Sequence, residues 1–193
     1  MSGRARAALR PLAAAAMLLV AAAATLSAPT DDAVQSPVET VGPAGRTVVS
    51  RLAEADVHGV QAARRLALPA GSAERDSTTS GVWIVVDVTV ACRLTPCGFG
   101  ESRLQVGGRS YAPSPIVPGA SFATMNVGPR LRYRTSALFE VPRSALAAGR
   151  ARLVVQGART MALEGVPVIT MRLPDAVRTS AAVRSTVLVG AAS

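Results

Sequence analysis

The chain has 193 residues, 49% of them apolar and 17% charged, and a formal net charge of +9. At roughly 100–200 residues per domain this is one domain with appendages, too apolar for a disordered chain and long enough to build a core without a metal or a disulfide. All 21 basic residues are arginine and the one histidine is His58, which excludes a Walker-type phosphate loop, a Schiff base and a lysine general base, and leaves little for metal binding or acid–base catalysis.

Residues 1–30 have the order of an export segment. Arg4, Arg6 and Arg10 make a basic start, Pro11 to Thr30 carry no charge, and Asp31-Asp32 closes the stretch. A basic end, an apolar centre from Leu12 to Val20 and small residues after it describe a secretory signal, with everything past Asp31 delivered to the extracellular side of the membrane. Ala22 and Ala24 suit cleavage before Thr25. An uncharged stretch of this length also reaches across a bilayer core of about 30 Å, so a cleaved signal peptide and a single N-terminal transmembrane anchor both stay open. The many alanines of the segment insert weakly, which favours cleavage. No cysteine stands near the small residues to take a lipid.

Residues 31–45 are rich in Pro, Gly, Asp and Thr without periodicity and read as a disordered tether. The folded domain is expected over 46–193, as short β-branched runs separated by turn residues. Thr47 to Leu52 reads as a first strand. Gln61 to Leu68 is ambiguous, since its Ala, Arg and Leu favour helix while its length and Pro69 do not. In Val82 to Val90, Val82, Ile84, Val86, Val88 and Val90 share one face, and Trp83, Val85, Asp87 and Thr89 share the other. That is a central strand with one face in the core and the other partly covered.

Cys92 and Cys97 follow, enclosing four residues. In an exported chain this pair reads as a structural disulfide; zinc would need a fourth ligand beyond two cysteines and a histidine, and the spacing is not that of a redox Cys-x-x-Cys. Leu104 and Val106, then Gly107-Gly108, then Arg109 to Tyr111 read as a tight hairpin. Pro113, Pro115 and Pro118 mark a loop. Ala137 to Val141, Leu153 to Gln156, Val166 to Leu173 and Ser185 to Val189 are further strands, with a Pro174-Asp175 turn between the last two. Seven to nine short strands with regular turns describe an all-β, immunoglobulin-like β-sandwich, preceded by the N-terminal apolar helix.

Three of these segments, Gly81-Val-Trp-Ile-Val-Val-Asp-Val-Thr-Val90, the Gly107-Gly108 hairpin ending at Tyr111, and Ala137-Leu-Phe-Glu-Val-Pro142, carry a resemblance. They are similar to immunoglobulin-like domains of unknown function found in exported and lipid-anchored proteins of Gram-positive bacteria. The resemblance covers about Gly81 to Gln156. It implies a β-sandwich outside the cytoplasm and brings no catalytic residues. The chain departs from the pattern at Cys92, where a polar residue usually follows the strand, and in lacking a lipid-attachment cysteine, which leaves the mode of envelope attachment open.

Chemistry is sparse. Asp56 and His58 are two apart and would share a strand face as base and orienter, and Gly119-Ala-Ser121-Phe-Ala123 is an incomplete nucleophile elbow. A hydrolase using His58 and Ser121 is therefore the alternative reading. A glycosidase would draw on Asp87, Glu101, Glu140 and Glu164, with few aromatic rings to stack a sugar. Arg130, Arg132 and Arg134 alternate with Leu131 and Tyr133, so in an extended segment three guanidinium groups would meet an anionic lipid or wall polymer, or form a solvated edge that discourages aggregation. Export and the lack of stacking residues argue against nucleic acid. The expectation is a non-enzymatic binding or interaction module of the cell envelope, with no cofactor and no metal, engaging an envelope or membrane protein; a purely structural envelope protein is a third reading.

Overall fold

The computed structural model describes Met17 and residues 37–68, 76–116, 121–157 and 165–191. The expected leader helix, apart from Met17, lies outside the described residues. No helix among the described residues is long and apolar enough to cross a membrane.

Thirteen strands follow one another in the described residues. The first seven are β1 (Glu39–Pro43), β2 (Val48–Val49), β3 (Ala53–Ala67), β4 (Asp76–Cys92), β5 (Cys97–Gly98), β6 (Arg103–Val106) and β7 (Arg109–Tyr111). The remaining six are β8 (Asn126–Val127), β9 (Leu131–Val141), β10 (Arg150–Val154), β11 (Val166–Arg172), β12 (Val177–Ala182) and β13 (Val187–Ala191), with a 3-10 turn over Arg143–Ala148. A five-stranded sheet has the order β1-β11-β10-β6-β7; a larger sheet runs β12-β3-β4-β9-β13, with β2 beside β3; β5 and β8 pair separately.

The two sheets face each other across a dry core. Val82, Ile84, Val86, Val88 and Val90 of β4 point inward as their alternation requires, and Ala137, Phe139 and Val141 of β9 join them. Leu104, Leu153 and Ile169 close the core from the five-stranded sheet. Register follows the same pattern: Ile84 lies opposite Phe139 and Val82 opposite Val141 on β9. Sliding β9 by one residue would turn its whole apolar set to the other face. This is a β-sandwich.

The disulfide joins Cys92 to Cys97, with Cα atoms 5.9 Å apart. Phe99 stacks on Phe122 just beyond it, their centroids 5.5 Å apart. The Gly107-Gly108 turn has φ of 56° and 78°, the two positive angles a type I′ hairpin needs.

Several expectations require correction. Residues 39–43, assigned to the disordered tether by their Pro and Gly content, form β1, which runs parallel to β11; edge pairing to a Val-Pro-Val-Ile strand outweighs local composition. The strand expected over Thr47 to Leu52 shrinks to Val48–Val49, because Ser50 turns back to hydrogen-bond Ala53. Gln61 to Leu68 is strand through Ala67, an extension of β3 that pairs with both β4 and β12; tertiary pairing overrides a modest helix propensity. Arg150 and Ala151 already belong to β10, and Leu131 to Ser136 extend β9 beyond the Ala137 start. β12 was not expected at all, since Val-Arg-Thr-Ser-Ala-Ala has little apolar weight and lies at a sheet edge. The strands are also not uniformly short: β3 has 15 residues and β4 has 17.

Candidate functional site

The face of the larger sheet that points away from the core gathers most of the polar residues singled out in the sequence. Cross-strand register lines up Asp56, Thr89 and Arg134 in one row, Gly59, Asp87 and Ser136 in the next, and Glu54, Ala91 and Arg132 in a third. A register shift between Val57 and Gly59 places His58 at a bulge, which re-aims its ring. His58 Nε2 and Thr89 Oγ1 share a hydrogen bond of 2.7 Å, and His58 Nδ1 lies 3.9 Å from Asp56 Oδ2. Asp56 and His58 thus share a face, as their spacing implied.

Asp87 is the centre of the charge network. Arg134 donates to both of its oxygens, Nε at 3.0 Å and Nη2 at 2.7 Å, and Arg184 Nε adds a contact of 3.5 Å. Burial by itself would raise the Asp87 carboxyl. The Arg134 hydrogen bonds and the charges of Arg134, Arg184 and His58 outweigh that and hold it below its ordinary 3.8. Glu54, only 2% exposed, meets Arg132 Nε at 3.3 Å without making a hydrogen bond to it. The link between β12 and β13 has to pass from one edge of this sheet to the other, and it crosses this face. Val183 enters an apolar cluster with Trp83, Val85 and Leu138, and the Arg184 amide donates to Ser136 Oγ at 2.9 Å. The face is strapped down and electrically balanced.

The three arginines read as one anionic contact lie in different surroundings. Arg132 and Arg134 do lie on one face, but each is paired with an acid. Arg130 precedes the strand, with φ of 61°, and is exposed. Tyr133 packs against the core, on the side opposite Arg132 and Arg134. Ser121 is 3% exposed, and its hydroxyl shares a 3.0 Å hydrogen bond with Thr124. Among the described residues no hydrogen bond links it to His58. Glu164 lies outside the described residues.

The outward face of the five-stranded sheet is different. At the end nearest the Gly107-Gly108 turn it holds a groove of about 730 Å³, lined by Gln105, Ser110, Arg150, Arg152, Thr170 and Arg172 together with that turn. The neighbouring Ala151 and Met171 are 3% and 5% exposed, their side chains turned to the core. Arg152 is fixed in place: it donates to Gln105 Oε1 at 3.2 Å and is ion-paired with Glu39. Arg150 and Arg172 stand directly opposite each other on β10 and β11. Both are exposed, and among the described residues neither has an acidic partner. The Arg-Ala-Arg alternation at 150–152 was a visible signal for this site. What the sequence could not show was that β11 brings Arg172, and no acid, across from Arg150.

The sequence matches no protein-family model. No curated protein matches it. Among solved structures the chain is similar to an uncharacterised β-sandwich protein from Clostridium difficile 630, with 12% sequence identity, coverage of 72% of this chain and 96% of that one, and a TM-score of 0.45. A likeness of this degree carries no argument about what the protein does.

Proposed function

We propose that the chain is a non-enzymatic binding module of the cell envelope, an immunoglobulin-like β-sandwich exported by its apolar leader, and that it engages an anionic ligand through the groove on the five-stranded sheet. The observation that carries this reading is the juxtaposition of Arg150 and Arg172 without an acid. Two like charges directly opposite on adjacent strands are destabilising, and an anion between them reverses the sign of that interaction. The Cys92–Cys97 disulfide supports an oxidising compartment, in keeping with export. The hydrolase alternative draws less support, because the Ser121 hydroxyl is buried against Thr124 rather than presented to His58.

Co-sedimentation of the full chain with washed envelope fragments tests the reading. Replacing Arg150 and Arg172 together by Ser is expected to abolish salt-sensitive binding, while Arg130→Ser and His58→Ala leave it unchanged. Equal sedimentation of all variants, or a hydrolytic product whose release depends on His58, would overturn it.

A further inference from the structure

Charge and hydrogen-bonding capacity narrow the ligand of the groove. Arg152 is balanced by Glu39 and held by Gln105, so it adds shape and a directed guanidinium edge rather than free charge. Arg150 and Arg172 leave two positive charges uncompensated on one spot. A carboxylate brings one negative charge and two oxygens. A phosphomonoester brings roughly −1.5 to −2 near neutral pH and three acceptor oxygens, enough to receive both arginine forks at once.

The remainder of the lining says what the anion is attached to. Gln105 offers its amide nitrogen and Ser110 its hydroxyl, while the Thr170 hydroxyl donates to the Gly42 carbonyl oxygen at 3.2 Å and keeps its acceptor side; the one large apolar side chain of the lining, Met171, is turned inward. Such a wall has groups to hydrogen-bond a hydroxylated carrier. A groove of about 730 Å³ leaves room for a carrier beside the anion.

We infer that the groove between the Gly107-Gly108 turn and the Arg150–Arg172 pair binds a phosphomonoester borne on a polyol or sugar. Arg150 and Arg172 clamp the phosphoryl oxygens, Arg152 is a positioning residue at the groove wall, and Gln105 and Ser110 read the hydroxyls, with Thr170 Oγ1 as an acceptor. This rests on the anion-binding reading above and adds the ligand class to it.

Thermal shift and calorimetric titration of the full chain with three probes test it: glycerol 1-phosphate, gluconate as the matching hydroxylated carboxylate, and vesicles containing phosphatidic acid, whose headgroup carries the same phosphomonoester. Glycerol 1-phosphate is expected to bind saturably and raise the melting temperature, and gluconate to do neither. Arg150→Gln and Arg172→Gln should each weaken glycerol 1-phosphate by about ten- to a hundredfold, the loss of one charged hydrogen-bonding partner, while Arg130→Gln does not. Ligand-free Arg172→Gln should melt no lower than the parent chain, since it removes a like-charge opposition, and this separates lost binding from lost folding. Vesicle binding that glycerol 1-phosphate displaces identifies a lipid headgroup as a source of the same chemistry; saturable soluble binding without vesicle binding identifies a soluble or polymer-borne phosphate. Equal binding of gluconate overturns the phosphoryl assignment while the anion-binding module stands. Binding of glycerol 1-phosphate that survives both Arg→Gln changes overturns the groove as its site, as does no binding of any probe by a chain that still sediments with envelope through Arg150 and Arg172.

Discussion

Asp87→Asn tests whether the balanced face is a structural device. The substitution keeps the shape of the side chain and removes its charge. Arg134 loses both charged acceptors, keeping one neutral carbonyl oxygen and meeting an amide NH2 at the other position, and Arg184 is left facing a neutral amide. A hydrogen bond to a charged group contributes roughly 1.5–3 kcal/mol when well shielded, and an exposed ion pair about 0–1. Asp87 and Arg134 are 23% and 34% exposed, so the lower part of the shielded range, about 1.5 kcal/mol, is the expected cost. In a domain of this size that is a fall of roughly 3–6 °C in melting temperature. The pH dependence gives a second readout. The Asp87 carboxyl is held below its ordinary 3.8 in the folded chain. Its contribution is therefore complete above the ordinary value and is lost as pH falls through the lowered one. Circular dichroism melts of parent and variant should differ at neutral pH and converge as pH falls through the lowered Asp87 value. Melting temperatures within about 1 °C of each other at neutral pH would refute the argument. A gap that persists unchanged in acid would show that shape, not charge, was lost.

One treatment and one pair of substitutions probe the frame. Reducing Cys92–Cys97 in the intact chain should cost about 2 kcal/mol by the chain-entropy estimate for so short a loop, read as a lower urea midpoint with added reductant; an unchanged midpoint would mean that β5, β8 and the Phe99–Phe122 stack hold the loop unaided. Gly81→Ala would drive a Cβ into the Val141 carbonyl oxygen of β9, whereas nothing lies within 4 Å of a Cβ at Gly59. Chemical denaturation should show Gly81→Ala destabilised by about 1–3 kcal/mol and Gly59→Ala at least as stable as the parent; equal behaviour of the two would remove the close-approach explanation.

Much of the frame was legible because it is written in local alternation. The inward Val82, Ile84, Val86, Val88 and Val90 and the Gly107-Gly108 hairpin follow from period-two patterning and turn chemistry, whereas the second face of that strand, expected to be partly covered, is buried at Trp83, Val85 and Thr89. What escaped was decided by partners distant in sequence. β1 exists because β11 offers it an edge, Gln61 to Ala67 is strand because β4 and β12 flank it, and β12 itself has too little apolar content to announce its place.

The arginines make the same point with a functional consequence. Arg132-Tyr-Arg134 and Arg150-Ala-Arg152 are nearly the same local pattern, two guanidinium groups on one face of a strand. Folding sets Glu54 and Asp87 beside the first pair. It sets Glu39 beside Arg152, and Arg172 opposite Arg150. On the larger sheet Arg134 holds Asp87 through two hydrogen bonds, and Arg132 lies beside the buried Glu54 as its counter-charge. On the five-stranded sheet the opposed arginines work against stability, and the fold draws nothing from them. Under the proposed function, an anion between Arg150 and Arg172 would offset that like-charge cost, and its charge is the complement of theirs.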